Sequence, residues 1–131
     1  MPSSSKPGQK PDMVMLQRTR VYKILAKEDW HRAQALGYTQ TALDEGDGYV
    51  HLSTRAQVAE TLALHYTGQS EVHLLEYIAE EMGGPMRWEE SRGGQLFPHY
   101  YAALRIDAAT RSWVLALDAD GRPTLPETID S

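Results

Sequence analysis

The stretch from Trp88 to Tyr101 concentrates side chains that bind ligands or take part in reactions. It reads Trp-Glu-Glu-Ser-Arg-Gly-Gly-Gln-Leu-Phe-Pro-His-Tyr-Tyr, and its periodicity fits neither a helix nor a strand. We therefore predict a loop, and loops held on a rigid scaffold commonly carry binding residues. In this loop the planar guanidinium of Arg92 suits a carboxylate or a phosphate. The alternative is structural: the aromatic rings cap the core while Arg92 pairs with Glu89 or Glu90.

His51 and Ser53 form a second candidate group. The segment from Tyr49 to Ser53 alternates polar and apolar residues, so a strand here places His51 and Ser53 on one face. A helix is predicted to follow directly, and the unpaired N–H groups of its first turn attract anions. A histidine, a hydroxyl and these amides together would cradle a ribose or a phosphate. The alternative is a half-buried His51 that is hydrogen-bonded to the backbone.

Other common types of reactive site lack their sequence signatures. His51, His99 and Glu89 are the residue types of a two-histidine, one-carboxylate metal site, but no spaced motif holds them together, and no metal is expected. Neither Ser53 nor Ser91 lies in the Gly-x-Ser-x-Gly turn of hydrolases. The glycine-rich phosphate loops of dinucleotide-binding and nucleoside-triphosphate-binding folds are also missing from the sequence.

The elements that must position these residues are short. Strand formers and alternation predict strands at residues 21–25, 49–53, 72–78, 101–106 and 112–117, the first of them central and the last two paired as a hairpin. Helical spacing predicts helices at 27–36, ended by Gly37, and at 54–66, begun by Thr54 and Gln57 as a capping box. The acidic run Asp44–Gly48 lacks the closing glutamate of a calcium loop and is predicted to be a solvated turn. Early helices and late strands favour an α+β class with a mainly antiparallel sheet.

Length and composition limit the function classes. The chain has 131 residues, a net charge of −5 and no cysteine, which favours one cytoplasmic domain without disulfides. No cluster of Lys and Arg could neutralise several phosphates, so nucleic acid is not an expected partner, and no apolar run is long enough for a membrane span. We predict a disordered tail over residues 1–18, a single globular domain over 19–117, and a C-terminal tail over 118–131 that trails over the surface.

Two motifs resemble those of a known family. The chain closely resembles the bacterial family known as domain of unknown function number 952 through Asp47-Gly48-Tyr49-Val50-His51-Leu52-Ser53-Thr54 and through Trp88-Glu89-x-Ser91-Arg92-Gly93-Gly94-x-Leu96-Phe97-Pro98-His99-x-Tyr101. The resemblance extends from about Val21 to Leu117. It implies an ADP-ribosyltransferase-like fold, in which split antiparallel β-sheets with two or more short helices grip NAD in the cleft between them.

The resemblance also implies roles for individual residues. In enzymes of that fold a strand histidine, a small residue and a Ser or Thr bind the NAD ribose. The run His51-Leu52-Ser53 is similar to this element, with leucine where glycine is favoured. His51 and Glu89 are the candidate catalytic residues, with Glu89 as the carboxylate that stabilises charge at the ribosyl carbon. The expected ligand-binding residues are His51, Ser53, Trp88, Arg92, His99 and Tyr101.

Two function classes are compatible with these residues. The first is an enzyme of the ADP-ribosyl-transfer type, which binds NAD as a substrate or binds a related ribosyl nucleotide. The second is a non-catalytic module that binds a small ligand or another protein through the same residues. Release of nicotinamide from NAD would separate the first class from the second.

Overall fold

Two antiparallel sheets form the framework of the chain in the computed structural model, which describes residues 18–120 and 122–130. The predicted α+β class is therefore confirmed, whereas the predicted N-terminal tail lies, except for Arg18, outside the described residues. The strands are β1 (Arg20–Ala26), β2 (Val50–His51), β3 (Ser53–Thr54), β4 (Glu71–Ile78), β5 (Met86–Glu90), β6 (Leu96–Tyr100) and β7 (Arg111–Ala116). The α-helices are α1 (Lys27–Leu36), α2 (Ala42–Asp47) and α3 (Val58–His65).

The larger sheet has the strand order β3-β1-β4-β7, and the smaller sheet has the order β2-β6-β5. The chain leaves the smaller sheet after His51 and enters the larger sheet at Ser53, so Leu52 marks the crossing point. The predicted strand 49–53 is thus two short strands in two sheets. His51 and Ser53 are consequently held by different sheets although they are two residues apart in the chain.

Strand β1 is interior and is covered on both faces. Alternation along β1 sends Val21 and Leu25 to one face and Tyr22 and Ile24 to the other, and all four are buried. Each face has its own apolar cluster. The first cluster joins β1 and β4 to the smaller sheet and α1 through Ala33, Val50, Leu52, Leu75, Tyr77, Ala79 and Leu104. The second joins them to α3, β7 and the C-terminal segment through Val58, Leu62, Val72, Leu74, Leu115 and Ile129.

The predicted helix boundaries agree closely with those in the structure. Helix α1 spans Lys27–Leu36 and ends at Gly37, whose φ of 87° lies in the left-handed region that glycine adopts easily. The capping box at Thr54 is also present, since the Thr54 N–H donates to Gln57 Oε1 at 2.9 Å. The first turn after it, Arg55–Gln57, is a 3₁₀ turn, and the α-helix begins at Val58.

The prediction of a loop from Trp88 to Tyr101 is wrong, because this stretch forms a β-hairpin. Strands β5 and β6 pair in antiparallel register, and the turn is closed by the Ser91 N–H, which donates to the Gln95 carbonyl at 2.9 Å. Two consecutive glycines, Gly93 at φ 68° and Gly94 at φ 78°, permit the tight turn. Polar and aromatic side chains occur on both faces of the hairpin, so the sequence lacks the apolar–polar alternation that reveals a strand.

The predicted strand at 101–106 is also wrong. Among residues 101–106 Leu104 is the one that is buried. One buried residue cannot provide the half-buried face that a strand needs. The segment is held instead by single contacts, such as the Tyr77 hydroxyl donating to the Arg105 carbonyl at 2.9 Å. Strand β7 therefore pairs with β4 and not, as predicted, with the segment before it.

The segment after Asp118 was predicted to trail over the surface, but its described part packs on the domain. Ile129 is 1% exposed and lies in the second apolar cluster. Arg55 holds the Asp130 carboxylate in a bidentate ion pair at 2.8 and 3.1 Å, and Arg111 donates to the carbonyls of Thr128 and Ile129. Leu125 and Ile129 are the large apolar residues of this otherwise polar segment, and two such residues give too weak a pattern to reveal the anchor from the sequence.

Candidate functional site

A cleft of about 700 Å³ opens where the two sheets diverge, between β1, α3 and the smaller sheet. Three of the residues singled out in the sequence line this cleft: His51 from β2, Ser53 from β3 and His99 from β6. Lys23 from β1 and Tyr66, which follows α3, also line the cleft. Concave sites that combine apolar walls with a few polar groups are typical ligand sites.

His51 and His99 are brought together by strand pairing. They are direct cross-strand partners in the β2–β6 ladder, and their ring centroids lie 5.6 Å apart. The ring of Tyr49 lies against both, with its centroid 4.6 Å from that of His51 and 4.2 Å from that of His99. Separations of this size are typical of favourable ring contacts, so Tyr49 fixes the two imidazoles from one side.

His51 is held by two carboxylates. Its Nδ1 lies 2.6 Å from Asp44 Oδ1, and its Nε2 lies 2.9 Å from Asp47 Oδ2. The His51 backbone N–H also donates to Asp44 Oδ1, at 3.1 Å. Each ring nitrogen of His51 therefore has a carboxylate as its hydrogen-bond partner.

Asp44 links three elements inside the protein. Its second carboxylate oxygen accepts a hydrogen bond from the Lys23 ammonium at 2.7 Å, and both side chains are almost fully buried. The predicted solvated turn is thus wrong: Thr41 caps helix α2, and this helix directs Asp44 inward. Burial alone would raise the pKa of Asp44, but hydrogen bonds from His51 and Lys23 outweigh burial and hold that pKa below its usual value. Burial lowers the pKa of Lys23, and Asp44 opposes this effect.

His99 is held in a similar way from behind the cleft. Its Nδ1 lies 2.7 Å from Glu89 Oε1, which also accepts a hydrogen bond from the Tyr101 hydroxyl at 2.8 Å. Both hydrogen bonds lower the pKa of Glu89, and the one from His99 has the larger effect. A neutral His99 that donates from Nδ1 carries its lone pair on Nε2, at the other side of the ring. Glu89 itself is not among the described residues that line the cleft, so it meets the site through His99.

The remaining expected site residues are distributed unequally. The Ser53 side chain is buried at the cleft wall, where its Oγ lies 3.3 Å from Thr61 Oγ1. Trp88 alternates with Glu89 along β5 and therefore faces away from His99, with 40% of its surface exposed. Tyr101 touches Glu89 and Tyr49 outside the cleft. Arg92 lies in the hairpin turn, and its side chain is outside the described part of the structure.

Sequence reasoning missed Lys23, Asp44 and Tyr49. Lys23 carries a signal in retrospect, because a lysine in the middle of a strand predicted to be central must be buried with a partner. Asp44 and Tyr49 carry none, since their roles depend on the fold of α2 and on the β2–β6 pairing. Within residues 18–120 and 122–130, no group of three or more His, Asp or Glu side chains is arranged to hold a metal ion. No helix in these ranges is long and apolar enough to cross a bilayer.

Comparison with known proteins places the chain in a family. Residues 24–112 match the family described as "Protein of unknown function (DUF952)". The crystal structure of protein CC0527 from Caulobacter crescentus is similar, with 42% sequence identity and a TM-score of 0.79, over 86% of this chain and 100% of that one. The solution NMR structure of CC0527 is 44% identical with a TM-score of 0.70, over 81% and 92% of the two chains. No curated protein matches the chain significantly.

Proposed function

The chain belongs to the DUF952 family, and we propose that it binds a small ribosyl nucleotide of the NAD class in the cleft between its two sheets. One observation carries this proposal: His51, Ser53 and His99, which come from three strands, line a single cleft of about 700 Å³. The resemblance of His51-Leu52-Ser53 to the ribose-binding element of ADP-ribosyltransferase-like enzymes supports the same class of ligand.

The polar groups of the cleft suit a ribose. The Ser53 hydroxyl and His99 Nε2 provide a donor and an acceptor for sugar hydroxyls. Asp47 is about half exposed, so a ribose oxygen can replace its carboxylate on the Nε2–H of His51. The rings of Tyr66 and Phe97 line the same cleft and offer apolar surface for a base.

A phosphate would meet Arg32 at the edge of the cleft. Its guanidinium lines the cleft, is about half exposed, and is already oriented by Asp29 and by the Gln40 carbonyl, both at 3.0 Å. A preoriented guanidinium binds phosphate oxygens through charge-assisted hydrogen bonds. Arg32 is therefore a further candidate for binding phosphate, beside Arg92, whose predicted role stays a prediction.

A chemical role for His99 is consistent with this geometry. Its Nε2 would take the proton of an acceptor hydroxyl or water while the new C1′–O bond forms. The bond between C1′ and the ring nitrogen breaks, and its electron pair leaves with the nicotinamide. Glu89 would fix the tautomer and orientation of His99 and would not touch the ribosyl carbon. His51 is unsuited to act as the base, because both its ring nitrogens face carboxylates.

Isothermal titration of the full-length chain with NAD and with ADP-ribose tests the binding step. We expect His99→Gln to weaken binding by roughly tenfold, which is the usual effect of one lost hydrogen bond in a site. His73→Gln is the matched control, because His73 stacks on Trp30 at 4.7 Å and does not line the cleft. Binding of neither ligand, or equal losses in both variants, would show that the cleft is not a ribosyl nucleotide site.

The chemical step needs a separate measurement. Wild type should release nicotinamide from NAD, and Glu89→Gln should slow this release while leaving the dissociation constant of NAD nearly unchanged. Binding without release in wild type would leave a ligand-binding module without this activity.

The exposed face of the hairpin favours a second candidate, a protein-interaction module. Trp88 is 40% exposed and Leu96 is 54% exposed, and aromatic residues are enriched in protein interfaces. Sedimentation velocity over a hundredfold range of concentration would detect self-association through this face. Trp88→Ser should abolish such self-association. A wild-type protein that stays monomeric at all concentrations would argue against self-association through this face.

A further inference from the structure

A second cavity, of about 310 Å³, lies on the other side of Asp44 from the main cleft. Among the described residues, Asp44 alone lines both cavities. Four tyrosines from the chain after α1, the residue before β2 and the end of β6 line the second cavity. They are Tyr38, Tyr49, Tyr100 and Tyr101.

The rings present the electron-rich surface that attracts cations. Tyr49 and Tyr101 form one corner, with ring centroids 5.1 Å apart and an angle of 37° between the planes. The ring of Tyr101 already attracts a cation of the chain itself, because the Arg87 guanidinium carbon lies 5.1 Å from its centroid. A cation within about 6 Å of an aromatic centroid is stabilised by the ring quadrupole.

Carboxylates surround the same rings. Asp44 and Glu45 both line the cavity. The pKa of Tyr49 is raised, first by burial and then by the charges of Asp47, Glu89 and Asp44. Asp44 is neutralised in part by Lys23 and His51, whereas Glu45 lies on the exposed rim. The cavity therefore disfavours anions and suits a positive charge.

Thr39 provides an independent sign of a ligand. It lines the cavity, its residue surface is 5% exposed, and its backbone N–H donates to the Leu104 carbonyl at 2.9 Å. Among the described residues its Oγ1 is the buried side-chain atom without a hydrogen-bond partner. A buried hydroxyl that lacks a partner destabilises a fold, and such a group calls for an explanation.

We propose that this cavity binds a small organic cation of the quaternary ammonium class, whose own hydroxyl or carbonyl group completes the hydrogen bonding of Thr39. The rings of Tyr49 and Tyr101 hold the cationic head, which needs no hydrogen-bond donor. Glu45 supplies long-range attraction at the rim. The site shares Asp44 with the ribosyl nucleotide cleft, and Tyr49 contacts both histidines of that cleft, but cation binding here does not require a nucleotide in the cleft.

The test compares choline with 3,3-dimethylbutan-1-ol, which has the same shape and the same hydroxyl but no charge. Both are titrated into the full-length protein by isothermal calorimetry and by amide NMR. Choline should bind with shifts at Thr39, Tyr49 and Tyr101, and it should bind roughly tenfold more tightly than the neutral compound. Equal affinity for the two compounds, or no binding of choline up to tens of millimolar, would overturn the proposal.

Three substitutions make the test specific to the cavity. Tyr49→Leu and Tyr101→Leu should each weaken choline binding by roughly two- to thirtyfold. Trp88→Leu is the matched control, because Trp88 is an exposed aromatic residue of the same hairpin that does not line the cavity. An equal loss in Trp88→Leu would show nonspecific contact with aromatic surface.

Thr39→Val distinguishes a ligand site from a simple packing defect. Valine has nearly the shape of threonine and removes the unpartnered hydroxyl, so the variant should melt at a higher temperature than wild type. The same variant should bind choline several-fold more weakly. A variant that melts higher and binds choline as tightly as wild type would remove Thr39 from the site. A variant that melts lower would show that the hydroxyl already has a stabilising role in the unliganded protein.

Discussion

Replacement of Asp44 by Asn should be among the most destabilising single changes in this chain. The Lys23 and Asp44 side chains are 5% and 7% exposed and lie 2.7 Å apart, so each charge is balanced almost entirely by the other and by His51. Removal of one partner from a buried ion pair typically costs about 3–5 kcal/mol, because the remaining charge is left without compensation. Asp44 also accepts from the backbone N–H of His51, which ties β2 to α2.

Urea unfolding measures this loss directly. For a domain of this size each kcal/mol corresponds to roughly 3–5 °C in melting temperature, so Asp44→Asn should melt roughly 10–20 °C lower. Asp107→Asn is the matched control, because Asp107 pairs with Arg105 at 2.8 Å but both side chains are exposed by more than 60%. The control should unfold at nearly the urea concentration of wild type, since exposed pairs are screened by water.

The double variant Lys23→Met, Asp44→Asn separates charge from shape. Methionine fills much of the space of lysine without a charge, so it should recover a large part of the stability lost in Asp44→Asn. If Asp44→Asn loses no more stability than Asp107→Asn, the buried charge does not organise the site. If the double variant is no more stable than Asp44→Asn, the loss does not come from the unbalanced Lys23 charge.

Three further outcomes can be measured. The pKa of Asp44 in the folded protein lies below the unfolded value of about 3.9. The contribution of Asp44 to the free energy of unfolding is therefore complete above that pH and is lost as the pH falls through the folded pKa. Acid unfolding of wild type should be steeper below about pH 4 than acid unfolding of Asp44→Asn. Ile129→Ala should lower the unfolding free energy by about 2–5 kcal/mol in urea, because the side chain is 1% exposed in an apolar cluster. Glu89→Gln should lower the pKa of the Tyr101 phenol, because its hydrogen bond to Glu89 is the main cause that raises this pKa; NMR titration of the Tyr101 ring carbon checks it.

The helices and the interior strands were predictable because their local signals agree with their tertiary roles. Helix α1 ends at Gly37 as its sequence indicates, and Thr54 and Gln57 form the predicted capping box. Strands β1 and β4 are rich in β-branched, aromatic and aliphatic residues, so this composition identifies them although Lys23 interrupts the first and His73 and Glu76 interrupt the second.

The hairpin was missed because it has no single apolar face. One face of the hairpin points toward the cleft and carries Glu89, Phe97 and His99. The other face carries Trp88, which is partly exposed. The sequence therefore shows charged and aromatic residues on both faces, which is also the composition of a binding loop. The chemistry of this stretch was visible in the sequence, but its backbone conformation was not.

The candidate site was predictable only in part, since its geometry depends on distant pairing. The sequence identifies His51 and His99, but their 5.6 Å separation follows from the β2–β6 register, which joins residues 48 positions apart. The roles of Asp44 and Glu89 depend on which side chains face them after folding. No local pattern marks an aspartate in a six-residue helix as the buried partner of a lysine in β1.

The most direct test of the ribosyl nucleotide cleft uses the five histidines of the chain as internal probes. Imidazole carbon–proton NMR spectra are recorded while ADP-ribose is added to the full-length protein. The proposed cleft predicts saturable shifts of the His51 and His99 signals, with the signals of His31 and His73 unchanged, because the first pair lines the cleft and the second does not. Unmoved His51 and His99 signals at millimolar ADP-ribose, or equal shifts of all five rings, would contradict it.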